Sequence, residues 1–287
     1  MNAYFSLKHY LKVARWKVRR GATAYRWGLG ELQRAPIVLG NAMPKSGSHL
    51  IIQVLQGLTS LGPFVNPGFP PVNRGEDNRK LSDRAVLANI QRMQPGDIGY
   101  GYISATPTFI DALTRPRRAT IFVYRDPRDM IVSHIFYATQ MHPDHWMRRY
   151  YTETLSTMEE RINAAIQGVD EPGSELTPIR RRYEGYLAWL EQPEVLSLRF
   201  EDLVLNRQAV LKQLLDFIRG RGLNLKMPRV QAVSILDASV APKKSGTFRK
   251  GQPGNWREHF TDANKALFKE KTGDLLTRLG YETSDEW

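Results

Sequence analysis

The sequence contains no cysteine, which excludes a disulfide scaffold, a thiolate nucleophile and any zinc site built on cysteine. It leaves the redox compartment open, because a thiol-free chain is tolerated in either setting. No apolar run approaches the ~18 residues that a membrane-spanning helix requires. Acid is scarce: 29 Asp and Glu face 41 Lys and Arg, a net charge of +12 that favours polyanionic partners. Internal repeats and low-complexity segments are missing too. The 287 residues suffice for one large α/β domain with a buried core.

The positive charge is uneven. Residues 1–34 carry eight basic residues and a single acid, Glu31, and so hold +7 of the +12. Within them Tyr4, Leu7, Leu11, Ala14 and Val18 recur at helical spacing, with Lys8, Lys12, Arg15 and Arg19 one position around the helix and Trp16 and Trp27 as interfacial anchors. The basic residues interrupt what would be the apolar stretch of a secretory signal. Two readings stay open: a helix lying on an anionic membrane, or a helix packed on its own domain with a solvated basic face. The expected organisation is a basic amphipathic segment, 1–34, followed by a catalytic-size domain, 35–287, on the cytoplasmic side and peripherally membrane-associated under the first reading.

Short apolar runs at Ile37–Gly40, Ile98–Ile103, Ala119–Tyr124 and Val195–Phe200 predict strands. Helical patterns follow at about Ser48–Leu58, Pro107–Leu113, Pro127–Thr139 and Asn206–Ile218, and residues 62–80 read as a surface loop. Strands alternating with helices predict an α/β fold, one domain with a central parallel sheet covered by helices.

Three segments concentrate phosphate chemistry. Pro44-Lys45-Ser46-Gly47-Ser48-His49 lies between the first strand and a helix, where free backbone N–H groups and the helix dipole converge on an anion. It departs from a Walker A loop, since Gly40 precedes Lys45 by one residue too few and Pro44 replaces the second glycine. The second segment, Arg125 to Ser133, begins at the carboxyl end of the Ala119–Tyr124 strand, where ligands of open α/β sheets bind. The third is Arg249-Lys250-Gly251-Gln252-Pro253-Gly254-Asn255-Trp256. Taken singly, these also read as a polar turn, an Arg–Asp pair at a helix start and a solvated basic loop.

Together the three resemble the PAPS-dependent sulfotransferase family (PAPS is 3′-phosphoadenosine 5′-phosphosulfate): a PKSG(T/S) loop, an R-x-x-x-D-x-x-x-S element and an RKG-x-x-G-x-W element, in order across residues 36–260. The resemblance implies a P-loop-like 5′-phosphosulfate site and transfer of a sulfuryl group to a hydroxyl or amine, with PAP left as product. It implies that Lys45 neutralises charge as the S–O bond breaks, and that Ser46, Gly47, Ser48 and His49 hold the 5′-phosphate. Arg125, Ser133, Arg249, Lys250 and Gly251 would clamp the 3′-phosphate, with no metal. Leu50 and Phe200 depart from a common Trp and Tyr of the family, which leaves adenine stacking to Phe200 or Trp256.

The departure of most consequence is catalytic. Many members carry a histidine base where this chain has Tyr102, and none of the six histidines lies between residues 50 and 133. Tyrosine, with a reference pKa of ~10, is a poor base at neutral pH. Tyr102 with a depressed pKa, His134, or an acid such as Asp97 or Glu76 are the candidates, and Ser133 and Lys45 complete the catalytic set. An acceptor already nucleophilic, or a weakly active member that binds PAPS, PAP or anionic lipid, is the alternative. His142 and His145 lack a third metal ligand at suitable spacing; the aromatic segment 137–175 is the candidate acceptor lid. A small-molecule or glycolipid acceptor is expected, with residues 1–30 available to an anionic membrane. No nucleic-acid reader motif is present.

Overall fold

The computed structural model describes residues 3–241 and 252–287; Arg249, Lys250 and Gly251 lie outside the described residues. The chain opens with helices α1 (Ala3–Trp27) and α2 (Leu29–Arg34) and enters strand β1 (Ile37–Ala42). Helices α3 (Ser48–Gly57) and α4 (Asp83–Arg92) precede β2 (Ile98–Gly101), and α5 (Pro107–Thr114) leads into β3 (Arg118–Tyr124). Then come α6 (Pro127–Phe136), α7 (Met158–Gln167), α8 (Ile179–Leu187) and β4 (Val195–Arg199). Helices α9 (Phe200–Leu205), α10 (Arg207–Gly220), α11 (Arg229–Ser239), α12 (Asp262–Thr272) and α13 (Leu275–Arg278) follow. These form two compact units, the described parts of Met1–Tyr124 with Ala188–Ser245, and of Arg125–Leu187 with Gly246–Trp287.

The first unit holds the whole sheet, four parallel strands in the order β2-β1-β3-β4. The expected α/β class and parallel sheet are therefore present. Strands β1 and β3 are buried along almost their full length, which explains why both read as continuous apolar runs rather than alternating ones. Apolar residues of α3, α10 and α11 complete one core with the sheet, including Val54, Leu55, Leu214 and Leu236. Gly40 lets α3 approach, because a Cβ there would meet Leu55 Cδ1 at 2.8 Å. The strand order reverses between β1 and β3, and the loop after β1 leaves the sheet at that switch point, where open α/β sheets bind ligands.

Several expected boundaries shift. Strand β2 ends at Gly101 and β4 at Arg199, so Phe200 opens a helix instead of closing a strand. Residues 62–80 are not a plain surface loop: Pro63, Phe64, Val65, Val72 and Asn73 are buried, and Val65 pairs with Asp97 along the sheet edge. The Gly and Pro content set the backbone path, while apolar anchors among them pin the segment down.

Helix α1 packs on its domain through the face of Trp16, opposite to the stripe of Leu11 and Val18. Trp16 is buried with Val13 and Ala24 against Leu32, Val65 and Phe69, and its Nε1 donates to Asp97 Oδ1 at 2.9 Å. Arg20 reaches the same oxygen at 2.8 Å, and the Gln94 N–H fills Oδ2 at 2.9 Å. Burial pushes the Asp97 carboxyl above its usual pKa, against the pull of those donors. Leu11 and Val18, on the apolar stripe that the sequence leaves to either a membrane or the domain, are 51% and 73% exposed.

The second unit is organised around Arg128, which is 1% exposed. Its guanidinium pairs with Asp126 at 2.7 Å and Glu282 at 2.6 Å, between the rings of Trp256 at 4.0 Å and Trp287 at 4.4 Å. Asp126 also caps α6 by accepting the Arg128 N–H. The helix-start Arg–Asp pair read from sequence is thus structural here.

Since Asp97 satisfies three donors and holds a buried cation, Asp97→Ala is expected to cost about 3–5 kcal/mol, the range for stripping one partner from a buried pair. Denaturant unfolding followed by circular dichroism measures it; a loss under about 1 kcal/mol would mean that α1 docks by other means.

Candidate active site

In the first unit, the turn after β1 is built from unusual backbone angles. Lys45 sits at φ 65° and Gly47 at φ 84°, a region that costs a non-glycine residue of order 1 kcal/mol or more. Met43 still donates to Val123 O at 3.0 Å, and Ser46 N to Met43 O at 3.1 Å, closing the turn. Gly47 is the N-cap of α3, so the first backbone N–H groups of that helix face outward without intrahelical partners. Ser46 is fully buried, and its Oγ has no hydrogen-bond partner among the described residues. This orphan hydroxyl, the positive helix end and the Lys45 charge suit a phosphate or sulfate group. A Cβ on Gly47 would meet the Phe200 ring at 2.3 Å. Phe200 therefore supports the turn from beneath, with 7% of its surface exposed. His49 keeps an exposed edge; desolvation, and secondarily the Lys45 charge, push its imidazole pKa down, favouring the neutral ring.

Tyr102 lies just beyond β2, held by two asparagines rather than by the sheet. Asn73 Nδ2 donates to Tyr102 O at 2.9 Å and its Oδ1 accepts the Tyr102 N–H at 3.2 Å. Asn41 makes the same double contact with Ile103, at 2.9 and 2.8 Å, and Trp189 Nε1 adds a third bond to Ile103 O. The Tyr102 hydroxyl donates to Ser48 Oγ at 3.1 Å. The structure thus joins Tyr102 to the phosphate-type loop through Ser48. Sequence reasoning missed Asn41 and Asn73, and no motif marks them. Asp97, a candidate base in the sequence, is instead fully engaged in docking α1.

A cavity of about 450 Å³ lies within the same unit, in the size range of small-molecule sites. Helix α1 supplies His9 and Trp16 to its wall, the 66–76 segment Phe69, Val72 and Glu76, and β2 Ile98 to Tyr100. Burial, and after it neighbouring Tyr102, pushes the Tyr100 hydroxyl pKa up. The cavity wall thereby reaches within two residues of Tyr102.

In the second unit, Arg125 opens the segment before α6. Its carbonyl accepts the Tyr183 hydroxyl at 2.8 Å, and its guanidinium lies 3.8 Å from Asp129. Asp129, 1% exposed, accepts the N–H groups of Gly254 at 2.7 Å and Trp256 at 2.9 Å. It therefore secures the segment that follows the undescribed Arg249–Gly251 stretch. Burial raises the Asp129 pKa, while Arg125 and the two N–H groups oppose the rise. The motif spacing contained Asp129, but its role as a clamp was not read. Ser133 is half-buried on α6. His134 is buried, its Nδ1 3.3 Å from the Tyr151 hydroxyl and its ring against His145 and Trp146. His142 and His145 belong to this aromatic cluster; no group of three or more potential metal ligands occurs among the described residues.

The comparisons with known proteins agree with this geometry. Human Sulfotransferase 2A1 is 24% identical over 214 residues, 64% of this chain and 70% of its own. A crystal structure of mouse sulfotransferase SULT7A1 complexed with PAP matches 88% of this chain and 90% of that one, at 18% identity and a TM-score of 0.56. Retinol dehydratase in complex with androsterone and PAP matches 86% and 83%, at 15% identity and a TM-score of 0.53. The Sulfotransferase domain model covers residues 38–280, most of the chain and all three phosphate segments, and the chain belongs to the PAPS-dependent sulfotransferase family.

Proposed function

We propose that this sulfotransferase moves the sulfuryl group of PAPS onto a hydroxyl of an apolar small molecule held in the cavity beside Tyr100. The observation that carries the reading is the Tyr102–Ser48 hydrogen bond, which joins the chain two residues beyond the cavity-lining Tyr100 to the turn after β1. PAPS supplies an activated sulfuryl group; the protein supplies position and charge, as in other transfers of anionic groups. Lys45 neutralises charge on the leaving oxygen. Ser46, Gly47, Ser48 and His49 hold the 5′ side, while Arg125 and Ser133, with Arg249, Lys250 and Gly251, take the 3′-phosphate.

The missing histidine is accounted for by a relay. Tyr102 oxygen would accept the acceptor proton while its own proton passes to Ser48 Oγ, and the Ser48 hydroxyl proton would pass on to the phosphate oxygen released as the S–O bond breaks, so the phenol need not ionise beforehand. A preformed phenolate would be a rare species at neutral pH, whereas concerted transfer avoids it. His134 is less suited to the role, because its Nδ1 is engaged by Tyr151 inside an aromatic cluster. Phe200 supports the turn, and adenine contact by its ring edge is compatible with that position. The apolar acceptor class draws on the chamber walls and on the androsterone bound by retinol dehydratase.

A membrane partner has its own supporting observation. The face of α1 opposite Trp16 leaves Tyr10, Leu11, Val18 and Tyr25 between 51% and 95% exposed, flanked by exposed Lys8, Arg15, Lys17, Arg19 and Arg26. An apolar stripe bordered by cations suits an anionic lipid surface. No helix among the described residues is long and apolar enough to cross a membrane. We propose peripheral attachment on the cytoplasmic side, from which a lipid-dissolved acceptor, glycolipids included, is reachable.

Three outcomes are expected. Isothermal titration of PAP without metal should show binding in wild type that weakens by about 1.5–3 kcal/mol in Arg125→Ala, the worth of a charge-assisted contact; absence of wild-type binding removes the donor assignment. Tyr102→Phe should lower kcat by about 10²–10⁴-fold with PAP affinity retained, and steady-state kinetics on any turned-over alcohol would expose an unaffected rate. Leu11→Asp with Val18→Asp should abolish sedimentation with vesicles rich in anionic lipid while leaving PAP binding intact; unchanged sedimentation would rule out this face of α1.

A further inference from the structure

Two carboxylates line the cavity, and they differ in how they are used. Asp97 is saturated: Trp16 and Arg20 donate to Oδ1 and the Gln94 N–H to Oδ2. Glu76 is half-used. Lys12 Nζ donates to its Oε2 at 2.6 Å and Lys8 Nζ stands at 4.0 Å, yet Oε1 is buried and has no hydrogen-bond partner among the described residues. The Glu76 side chain is only 10% exposed, so bulk water does not satisfy that oxygen freely. A buried acceptor left unmatched is costly, and more so when it is charged. Of the other polar side chains on the wall, Asn89 is committed to Val72 O and to Arg92, Asn66 to Gly68 N, and Arg74 to Asn78 O.

We infer that Glu76 Oε1 reads a second hydroxyl on the sulfate acceptor, making the preferred substrate an apolar, ring-bearing diol. The inference rests on the acceptor reading of the cavity given above. An ionised carboxylate accepts hydrogen bonds and donates none, so the partner must be a donor. A neutral hydroxyl suits it better than an ammonium. Two lysines already over-compensate the single negative charge, and Arg74 stands on the same wall. The wall runs from Tyr100, beside the relay, to Glu76 on the 66–76 segment. One hydroxyl then faces Tyr102 for transfer while the other is held by Glu76. Lys12, from α1, is the positioning residue that turns the carboxylate so that only one oxygen remains available.

The test compares a steroid diol, with hydroxyls at opposite ends of the rings, with the same skeleton lacking the hydroxyl remote from transfer. A third ligand carries an amine at that remote position. Direct binding to the full-length protein is titrated without nucleotide, and PAP is titrated separately into the same preparations. Wild type should bind the diol about 10- to 100-fold more tightly than the mono-ol, as a hydrogen bond to a charged group allows. Glu76→Ala should bring the diol down to the mono-ol, whose affinity stays put, and Glu76→Gln, which keeps an acceptor of similar shape, should retain part of the preference. Equal binding of diol and mono-ol by wild type overturns the inference, as does an equal loss for both in Glu76→Ala, which would mark Glu76 as a structural partner of Lys12. Tighter binding of the amine overturns the choice of a neutral donor. Failure of PAP to bind, with the diol preference intact, would instead sink the donor reading and leave Glu76 standing.

Discussion

The contact between the Phe200 ring and the backbone of Gly47 constrains more of this structure than any ion pair. No side chain fits at residue 47, since a Cβ would overlap the ring at 2.3 Å, and the backbone there is left-handed, a conformation that glycine adopts without penalty. With that turn fixed, α3 begins at Ser48, and its unpaired N–H groups and positive dipole end point at one place. The ring comes from the first residue after β4, so the turn is braced by the far edge strand of the same sheet. Precision in the anion site is thus a packing property, and the charges of Lys45 and its neighbours act on a frame that apolar contact sets.

Helix α1 shows how one helix serves two surfaces. Trp16 and Arg20 anchor it through Asp97, and Lys12 reaches Glu76 from the same face. The opposite face keeps Leu11 and Val18 in solvent. The basic residues of the first 34 are therefore divided between two faces. Some cations neutralise acids at the cavity, while others border the exposed apolar stripe.

Much of this was legible in the sequence, for identifiable reasons. The strands β1 and β3 are buried on both faces, so their apolar runs were unambiguous, and the phosphate turn was marked by its position between a strand and a helix. Strand ends were harder. The chain around Tyr102 and Ile103 continues in an extended path, but Asn73 and Asn41 side chains replace the sheet partners, and amide clamps from distant positions have no local signature. The sequence leaves the packed face of α1 open because both faces carry apolar residues at helical spacing, and what decides between them is Asp97, 81 residues from Trp16. The 62–80 segment was taken as surface from its Gly, Pro and charge content, whereas burial there depends on Phe64, Val65 and Val72 covering the edge of β2.

The substitution of tyrosine where many family members carry histidine changes what the site must provide. A histidine accepts a proton and holds it, which requires only that its pKa lie near the working pH. A tyrosine cannot store a proton that way at neutral pH, so it serves only if its own proton has somewhere to go. In the proposed relay that outlet is Ser48, whose Oγ lies 3.1 Å from the Tyr102 hydroxyl. Because Ser48 is also the first residue of α3, the outlet leads to the same helix end whose dipole attracts the anionic donor. Proton movement and charge development are thereby coupled through one hydroxyl. Under the proposed relay the two asparagine clamps would take on a catalytic meaning: they hold the backbone of Tyr102 and Ile103, and a relay would depend on such fixation far more steeply than a base that acts alone.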